Sequence, residues 1–343
     1  MVSVIITTFG GDSKLRRAIA SVLNQTYTDI EVIVVDDNDP KSEARVKTES
    51  MMRQYECDTR VVYLRHSHNM NGAAARNTGI KEARGSYIAF LDDDDYFFHN
   101  RLEKLVSVLD SDSSLAGVYT AVLMSNAGYI VSSMRSDTEY LDQKTLLLNQ
   151  NALGTGSNIF LKSSIVKTLN GFDTDFDRYQ DVEFMLRVTA NNKIKYIDYP
   201  LVIKDISNAR QPKYRKVKKS LDIFCTKFKS EIAGLAEEEL SLFWNDKLTG
   251  LFALARYGLS SSDISDASAI LSSFRTLTTK ERLITSLYPV YSVLLKMKYF
   301  VVCHGYEMLQ GLKKIRYKKI HNRYRKEMNE CEETATEFYY RYL

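Results

Sequence analysis

Four consecutive carboxylates, Asp92, Asp93, Asp94 and Asp95, follow the apolar run Tyr87-Ile88-Ala89-Phe90-Leu91. Four negative charges at the end of a buried strand repel one another, and a hard divalent cation relieves that repulsion. Oxygen ligands of this kind suit Mg2+ or Mn2+. The same run is compatible with a solvated acidic turn in which Asp95 caps the following helix. A calcium loop of the EF-hand kind is disfavoured, because its internal glycine and later glutamate are missing. Other candidates lie further along the chain. Asp37 ends a second apolar run, where an aspartate commonly forms a turn. Arg76 lies in a helical stretch, where an arginine commonly makes a surface ion pair. Asp181 opens a helical stretch, where a carboxylate favours the helix N-terminus.

The elements that must hold these residues alternate between strand and helix. Residues 2–8, 30–35, 60–64 and 87–91 are short runs rich in Val, Ile and Leu and read as buried strands. Between them Leu15, Ala18, Ile19, Val22 and Leu23 fall at helical spacing, with Asp12 or Ser13 as the available cap. Residues around Val46 to Tyr55 and residues 73–83 read as two more helices. Such alternation implies a mostly parallel, doubly wound α/β sheet that binds ligands at the carboxyl ends of its strands. Thr7, Asp37 and the aspartate run all fall at such ends. Residues 118–122 and 130–133, around Asn126-Ala127-Gly128, read as a hairpin. A helix near residues 181–190 and a strand within 195–203 complete this part. From about Arg210 the period is helical, with the Ser-rich residues 259–268 expected as a loop between helices.

Composition is that of an ordinary globular protein: 343 residues, 44% hydrophobic and 26% charged. The four cysteines are scattered, without any CxxC or Cys/His cluster, which argues against zinc and disulfides and for a reducing, cytoplasmic setting. No basic region precedes the first apolar run, so no secretory leader is expected. Residues 281–326 carry eleven Lys or Arg against two acids, so the net charge of +4 arises in one C-terminal segment.

Several pieces occur in a fixed order: VSVIITTF from Val2, SVLNQTY from Ser21, VVDDNDP from Val34, NGAAARNTGI from Asn71 and GSYIAFLDDDD from Gly85. GSNIFLK from Gly156, NGFD from Asn170 and YQDVEFMLR from Tyr179 follow. In order and spacing they resemble the inverting, nucleotide-sugar-dependent family 2 glycosyltransferases of the GT-A fold, over about residues 1–205. The resemblance implies a Rossmann-like catalytic domain over residues 1–209, a helical appendage over 210–343, and a role in bacterial surface-polysaccharide synthesis. It also assigns roles. Thr7 and Phe9 line the nucleotide pocket, Asp37 accepts a hydrogen bond from uracil, and Arg76 approaches the nucleotide or its diphosphate. Asp92 faces the ribose with Asp93 beside it, and Asp94 ligates Mn2+ or Mg2+. Asp181 becomes the catalytic base. Most relatives carry a Glu-Asp pair where this chain has Gln180-Asp181. One anionic neighbour fewer should leave the pKa of the base somewhat lower than in such a pair.

The implied partners are a nucleotide-sugar donor, UDP-linked, and a glycan or lipid-linked oligosaccharide acceptor. Residues 287–303 are apolar but interrupted by Pro289, Lys296 and Lys298, which is short and charged for a membrane-spanning helix. The basic, Tyr-interleaved residues 312–326 suit either an interfacial element on an anionic membrane, at the inner face of the plasma membrane, or a solvated helix. Nucleic acid is not an expected partner, since no recognisable module accompanies the basic run. Two other readings remain open: a phosphotransferase or phosphatase using the aspartates, and a non-catalytic homologue that only binds sugar nucleotides. Neither the sugar nor the acceptor is specified by these residues.

Overall fold

Runs of Val and Ile with polar residues only at their ends form the centre of the fold. The computed structural model describes residues 1–10, 14–207, 212–258, 260–286, 288, 317, 318, 320 and 321. Its strands are β1 (Val2–Thr8), β2 (Ile30–Asp36), β3 (Val61–Arg65), β4 (Tyr87–Asp92), β5 (Tyr96–Phe97), β6 (Leu115–Asn126), β7 (Tyr129–Met134), β8 (Tyr140–Leu141), β9 (Phe160–Lys162) and β10 (Lys193–Asp205). They share one sheet in the order β3-β2-β1-β4-β9-β6-β10-β5, with β7 on β6 and β8 on β10. The long pairings, β3 to β4 through β1 and β6 to β10, are parallel. Short β9 runs antiparallel between β4 and β6. The molecule is therefore an α/β protein with a curled central sheet flanked by helices.

Burial on both faces explains why β2 shows no alternation of polar and apolar residues: every residue in it is buried. Glu31 is tolerated there because its carboxylate accepts from Ser3 Oγ at 2.6 Å, Arg84 N at 2.7 Å and Arg84 Nε at 2.9 Å. The helix Gly72–Glu82, which carries Arg76, lies so close to β1 that a Cβ on Gly79 would sit 2.4 Å from Ile5 Cγ2. Only glycine allows this approach without displacing the buried Ile5.

Several elements depart from the sequence reading. Residues 261–268, within the Ser-rich stretch expected as a loop, instead open the helix Ser261–Phe274, a correction with a plain cause. Ser260 caps that helix by accepting from Asp263 N at 3.3 Å, and Ile264, Ala267 and Leu271 bury one face of it. The helix after the aspartate run is Arg101–Ser111, with Leu102, Leu105, Val106 and Leu109 buried, and its N-cap residue is Asn100 rather than the Asp95 considered from sequence. Strands β5, β8 and β9 have two or three residues each, too few to show a period. The cap expected at Asp12 or Ser13 lies outside the described residues.

The chain divides into two compact units, one holding the sheet and taking in Ile320 and His321, the other starting at Ala209. The second unit contains the helices Tyr214–Lys227, Lys229–Ala233, Glu237–Tyr257, Ser261–Phe274 and Thr279–Ser286. No helix among the described residues is long and apolar enough to cross a membrane. Most of residues 287–303 and 312–326 lies outside the described set. His321 is an exception: its Nδ1 accepts from Ile130 N at 3.2 Å and its ring meets Tyr129 edge-on.

Candidate active site

Register alone brings the polar strand ends together. Thr7 pairs with Asp92 across β1 and β4, and Thr8 with Asp36 across β1 and β2. β10 is parallel to β6 and ends on Asp205. The carboxyl ends of β1, β2, β4 and β10 thus share one edge of the sheet.

Asp37 follows β2 and is almost wholly buried, at 3% exposure. Its Oδ1 accepts from His66 Nδ1 at 2.7 Å and Met70 N at 2.8 Å, and its Oδ2 from Asn69 Nδ2 at 2.8 Å. Gly10 N donates to Asn38 Oδ1 at 2.8 Å, tying the segment after β1 to the one after β2. Phe9, on that segment, is 55% exposed, leaving an aromatic face open to a ligand.

The aspartate run is divided by its partners. Asp92 Oδ1 accepts from Arg76 Nη2 at 2.7 Å. Asp93 Oδ2 accepts from Thr8 Oγ1 at 2.6 Å and Phe9 N at 3.3 Å. Asp95 is buried and accepts from Ser157 Oγ at 2.7 Å, Thr155 Oγ1 at 3.0 Å and Asp205 N at 3.1 Å. Asp94 stays partly exposed, while its carbonyl accepts from Arg17 Nη2 at 2.7 Å. Arg17 also reaches Asp205 Oδ2 at 2.9 Å and stacks on Tyr96. Burial, with repulsion from Asp94 and Asp92, pushes the Asp93 carboxyl up to about 7. Burial, followed by repulsion from Asp92, raises Asp94 and Asp95 as well. The turn therefore holds more negative charge than its surroundings offset.

Asp181 enters from the helix Gln180–Thr189, whose preceding residue Tyr179 has φ 64°. A bulky side chain in that left-handed region is uncommon, and such strain concentrates at functional sites. Arg76 joins this helix to the aspartates: Nη1 donates to Gln180 Oε1 at 2.9 Å and lies 3.8 Å from Asp181 Oδ1. Asp181 Oδ1 is buried and accepts no hydrogen bond among the described residues. Burial raises its pKa, Arg76 opposes the rise, and Asp92 adds to it. A Cβ on Gly156 would come within 2.8 Å of that oxygen and 3.1 Å of Arg76 Nη2, so glycine keeps the space around it open.

Among the described residues no three His, Cys, Asp or Glu side chains are grouped to hold a metal ion by themselves. A cation here would need further oxygens, such as those of a diphosphate. Asp94, a partly exposed hard-oxygen donor beside repelling neighbours, fits that limited role. Arg17, Asp205, Thr155, Ser157 and His66 also belong to the site and escaped the sequence reading. Asp205 ends a strand as Asp36 and Asp92 do, a signal that could have revealed it; Ser157 lies within the GSNIFLK piece with Thr155 just before it, and Arg17 and His66 carry no such signal.

Residues 3–169 match the family model described as glycosyl transferase family 2. An uncharacterized glycosyltransferase of Methanocaldococcus jannaschii is 29% identical over 195 residues, 56% of this chain and 66% of that protein. The UDP-Glc:alpha-D-GlcNAc-diphosphoundecaprenol beta-1,3-glucosyltransferase WfgD of Escherichia coli is 27% identical over 229 residues, 65% of this chain and 85% of its own length. The chain spans less than two thirds of several other curated relatives it matches. The crystal structure of S. aureus TarS superposes with a TM-score of 0.52 at 18% identity, covering 84% of this chain and 55% of that one, a likeness of fold. Over residues 3–169, the stretch that carries Asp37, Arg76 and Asp92 to Asp95, the chain matches glycosyl transferase family 2.

Proposed function

We propose that this chain is an inverting glycosyltransferase that moves a sugar, a hexose or its derivative, from a UDP-linked donor to a hydroxyl of a lipid-linked glycan. The observation that carries the reading is Asp181: a buried carboxylate oxygen without a hydrogen-bond partner among the described residues, beside an arginine that also holds Asp92. Such an oxygen can take a proton from an acceptor hydroxyl as that hydroxyl attacks the anomeric carbon. The attack comes from the face opposite the nucleotide, so an α-linked donor yields a β-linked product. Arg76 orients Asp92 toward the ribose and, through Gln180, fixes the helix that carries the base. Thr7, Phe9 and Asp37 receive the nucleotide, and Asp93 braces the segment bearing Phe9. A divalent cation, Mn2+ or Mg2+, on Asp94 would offset charge gathering on the departing diphosphate. The relative WfgD, by its name, uses UDP-glucose and a diphosphoundecaprenol-linked acceptor, which is the basis for the donor and acceptor classes here.

Binding of UDP with Mn2+ tests this directly. The pair is expected to raise the Tm by about 5 °C more than the sum of either alone, since each ligand completes the other's site. Absence of synergy would count against the reading. A phosphatase using the aspartates is less well supported, because Asp93 and Asp95 are engaged by Thr8, Phe9, Thr155 and Ser157 rather than free to attack.

A lipid-linked acceptor would place the chain at an anionic membrane surface, with basic residues 281–326 as the contact. Replacing Lys313, Lys314, Lys318 and Lys319 with Gln is expected to weaken co-sedimentation with phosphatidylserine vesicles by about two to three orders of magnitude, at about 1 kcal/mol per lysine near the surface. Binding to neutral vesicles should not change. Equal sedimentation of both proteins on anionic vesicles would remove this part of the proposal.

A further inference from the structure

Asp37 has more partners than a base-binding carboxylate needs. A carboxylate offers about four lone-pair directions. His66 and Met70 occupy both on Oδ1, and Asn69 occupies one on Oδ2. One direction, on Oδ2, has no partner among the described residues. Because Asp37 is 3% exposed, its orientation rather than its exposed area decides what a base can reach.

His66 controls that orientation from behind. It is buried at 8% exposure, and its ring bridges two elements. Nδ1 lies 2.7 Å from Asp37 Oδ1, and Nε2 lies 2.8 Å from Thr78 Oγ1 on the helix Gly72–Glu82. An ionised Asp37 can only accept, so Nδ1 carries the proton. His66 N donates to Asp36 O at 2.9 Å, and His66 O accepts from Arg45 Nη2 at 2.9 Å, so the backbone beneath the ring is anchored as well. The ring thus transmits the position of a helix to the carboxylate.

We infer that His66 is a positioning residue that sets nucleobase specificity. By donating from Nδ1 to Oδ1 it leaves an accepting lone pair on Oδ2 for the base. That lone pair suits the imide N–H of uracil or thymine and repels the lone pair on N3 of cytosine. The inference rests on the reading of Asp37 as the base acceptor. Discrimination of this kind is large when a wrong ligand leaves buried polar groups unpaired.

Side-chain geometry supplies the test. The amide nitrogen of Asn overlies His Nδ1, whereas that of Gln overlies Nε2. Calorimetry with UDP and CDP on the full chain should show a UDP preference in the wild-type protein that His66→Asn keeps to within about threefold. His66→Gln should weaken UDP binding by about tenfold and bring the UDP to CDP ratio toward one. Thr78→Val, which leaves the Asp37 contact but frees the other side of the ring, should lower the ratio by about threefold. A merely structural role would lower both affinities alike and leave the ratio unchanged. A wild-type ratio in both His66→Gln and Thr78→Val overturns the inference while the donor reading stands. If the wild-type protein binds no UDP, the donor reading fails and takes this inference with it.

Discussion

Asp181→Asn is expected to lower kcat by about two to four orders of magnitude while UDP affinity stays near wild type, the usual loss when a general base is removed. The isosteric amide preserves the packing around Gly156 and Arg76 but cannot accept the proton of an attacking hydroxyl. The sign of the pH dependence follows from the raised pKa of Asp181. The ionised form is the base, so kcat/KM should fall as pH drops through a value above the usual 3.8. The same shift gives a stability signature. A carboxylate whose folded-state pKa lies above its unfolded value binds protons more tightly when folded, so its ionisation destabilises the fold. Wild-type stability should therefore rise slightly as pH falls from neutrality toward the raised pKa, and Asp181→Asn should reduce that rise. Near-normal transfer by Asp181→Asn, with Asp94→Ala inactive, would move the base assignment to another residue.

Asp94→Ala should be the second large loss, about two orders of magnitude or more in kcat, accompanied by loss of the synergy between UDP and Mn2+. The variant is not expected to be unstable. Burial and Asp92 raise the Asp94 pKa, so at neutral pH its charge is a liability to the unliganded fold. Removing it should leave the metal-free Tm equal to wild type or higher. Gain of stability with loss of activity marks a residue kept for ligand binding rather than for folding. A lowered Tm together with retained UDP–Mn2+ synergy would assign Asp94 to structure and direct the search for a ligand to Asp92.

Much of the architecture is legible in local pattern. β1, β2 and β4 are charge-poor aliphatic runs, and such a run has few ways to be buried except as an interior strand of a parallel sheet. Their polar ends then fall on one edge because parallel strands share a direction. The helix Arg101–Ser111 and the serine cap at Ser260 were equally available in the sequence, one as a plain helical period and the other as a standard N-cap. Residues 259–268 misled because serine is common both in loops and at helix starts. β5, β8 and β9 were not legible, since two or three residues paired across a sheet leave no repeat to detect.

By itself, then, the sequence carried the resemblance to family 2 glycosyltransferases, the α/β class and the clustering of Asp92, Asp93, Asp94 and Asp95 at a strand end. Only the tertiary structure decided how that run is divided. It gives Asp92 to Arg76, Asp93 to Thr8 and Asp95 to Ser157 and Thr155, and leaves Asp94 partly exposed. It likewise brought His66 to Asp37, Arg17 to Asp205, and Asp181 to within 3.8 Å of Arg76. The physical reason is range. Periodicity is written by neighbours within a few residues, whereas these contacts join side chains dozens of positions apart, whose meeting depends on strand order, register and the close approach of helix to sheet.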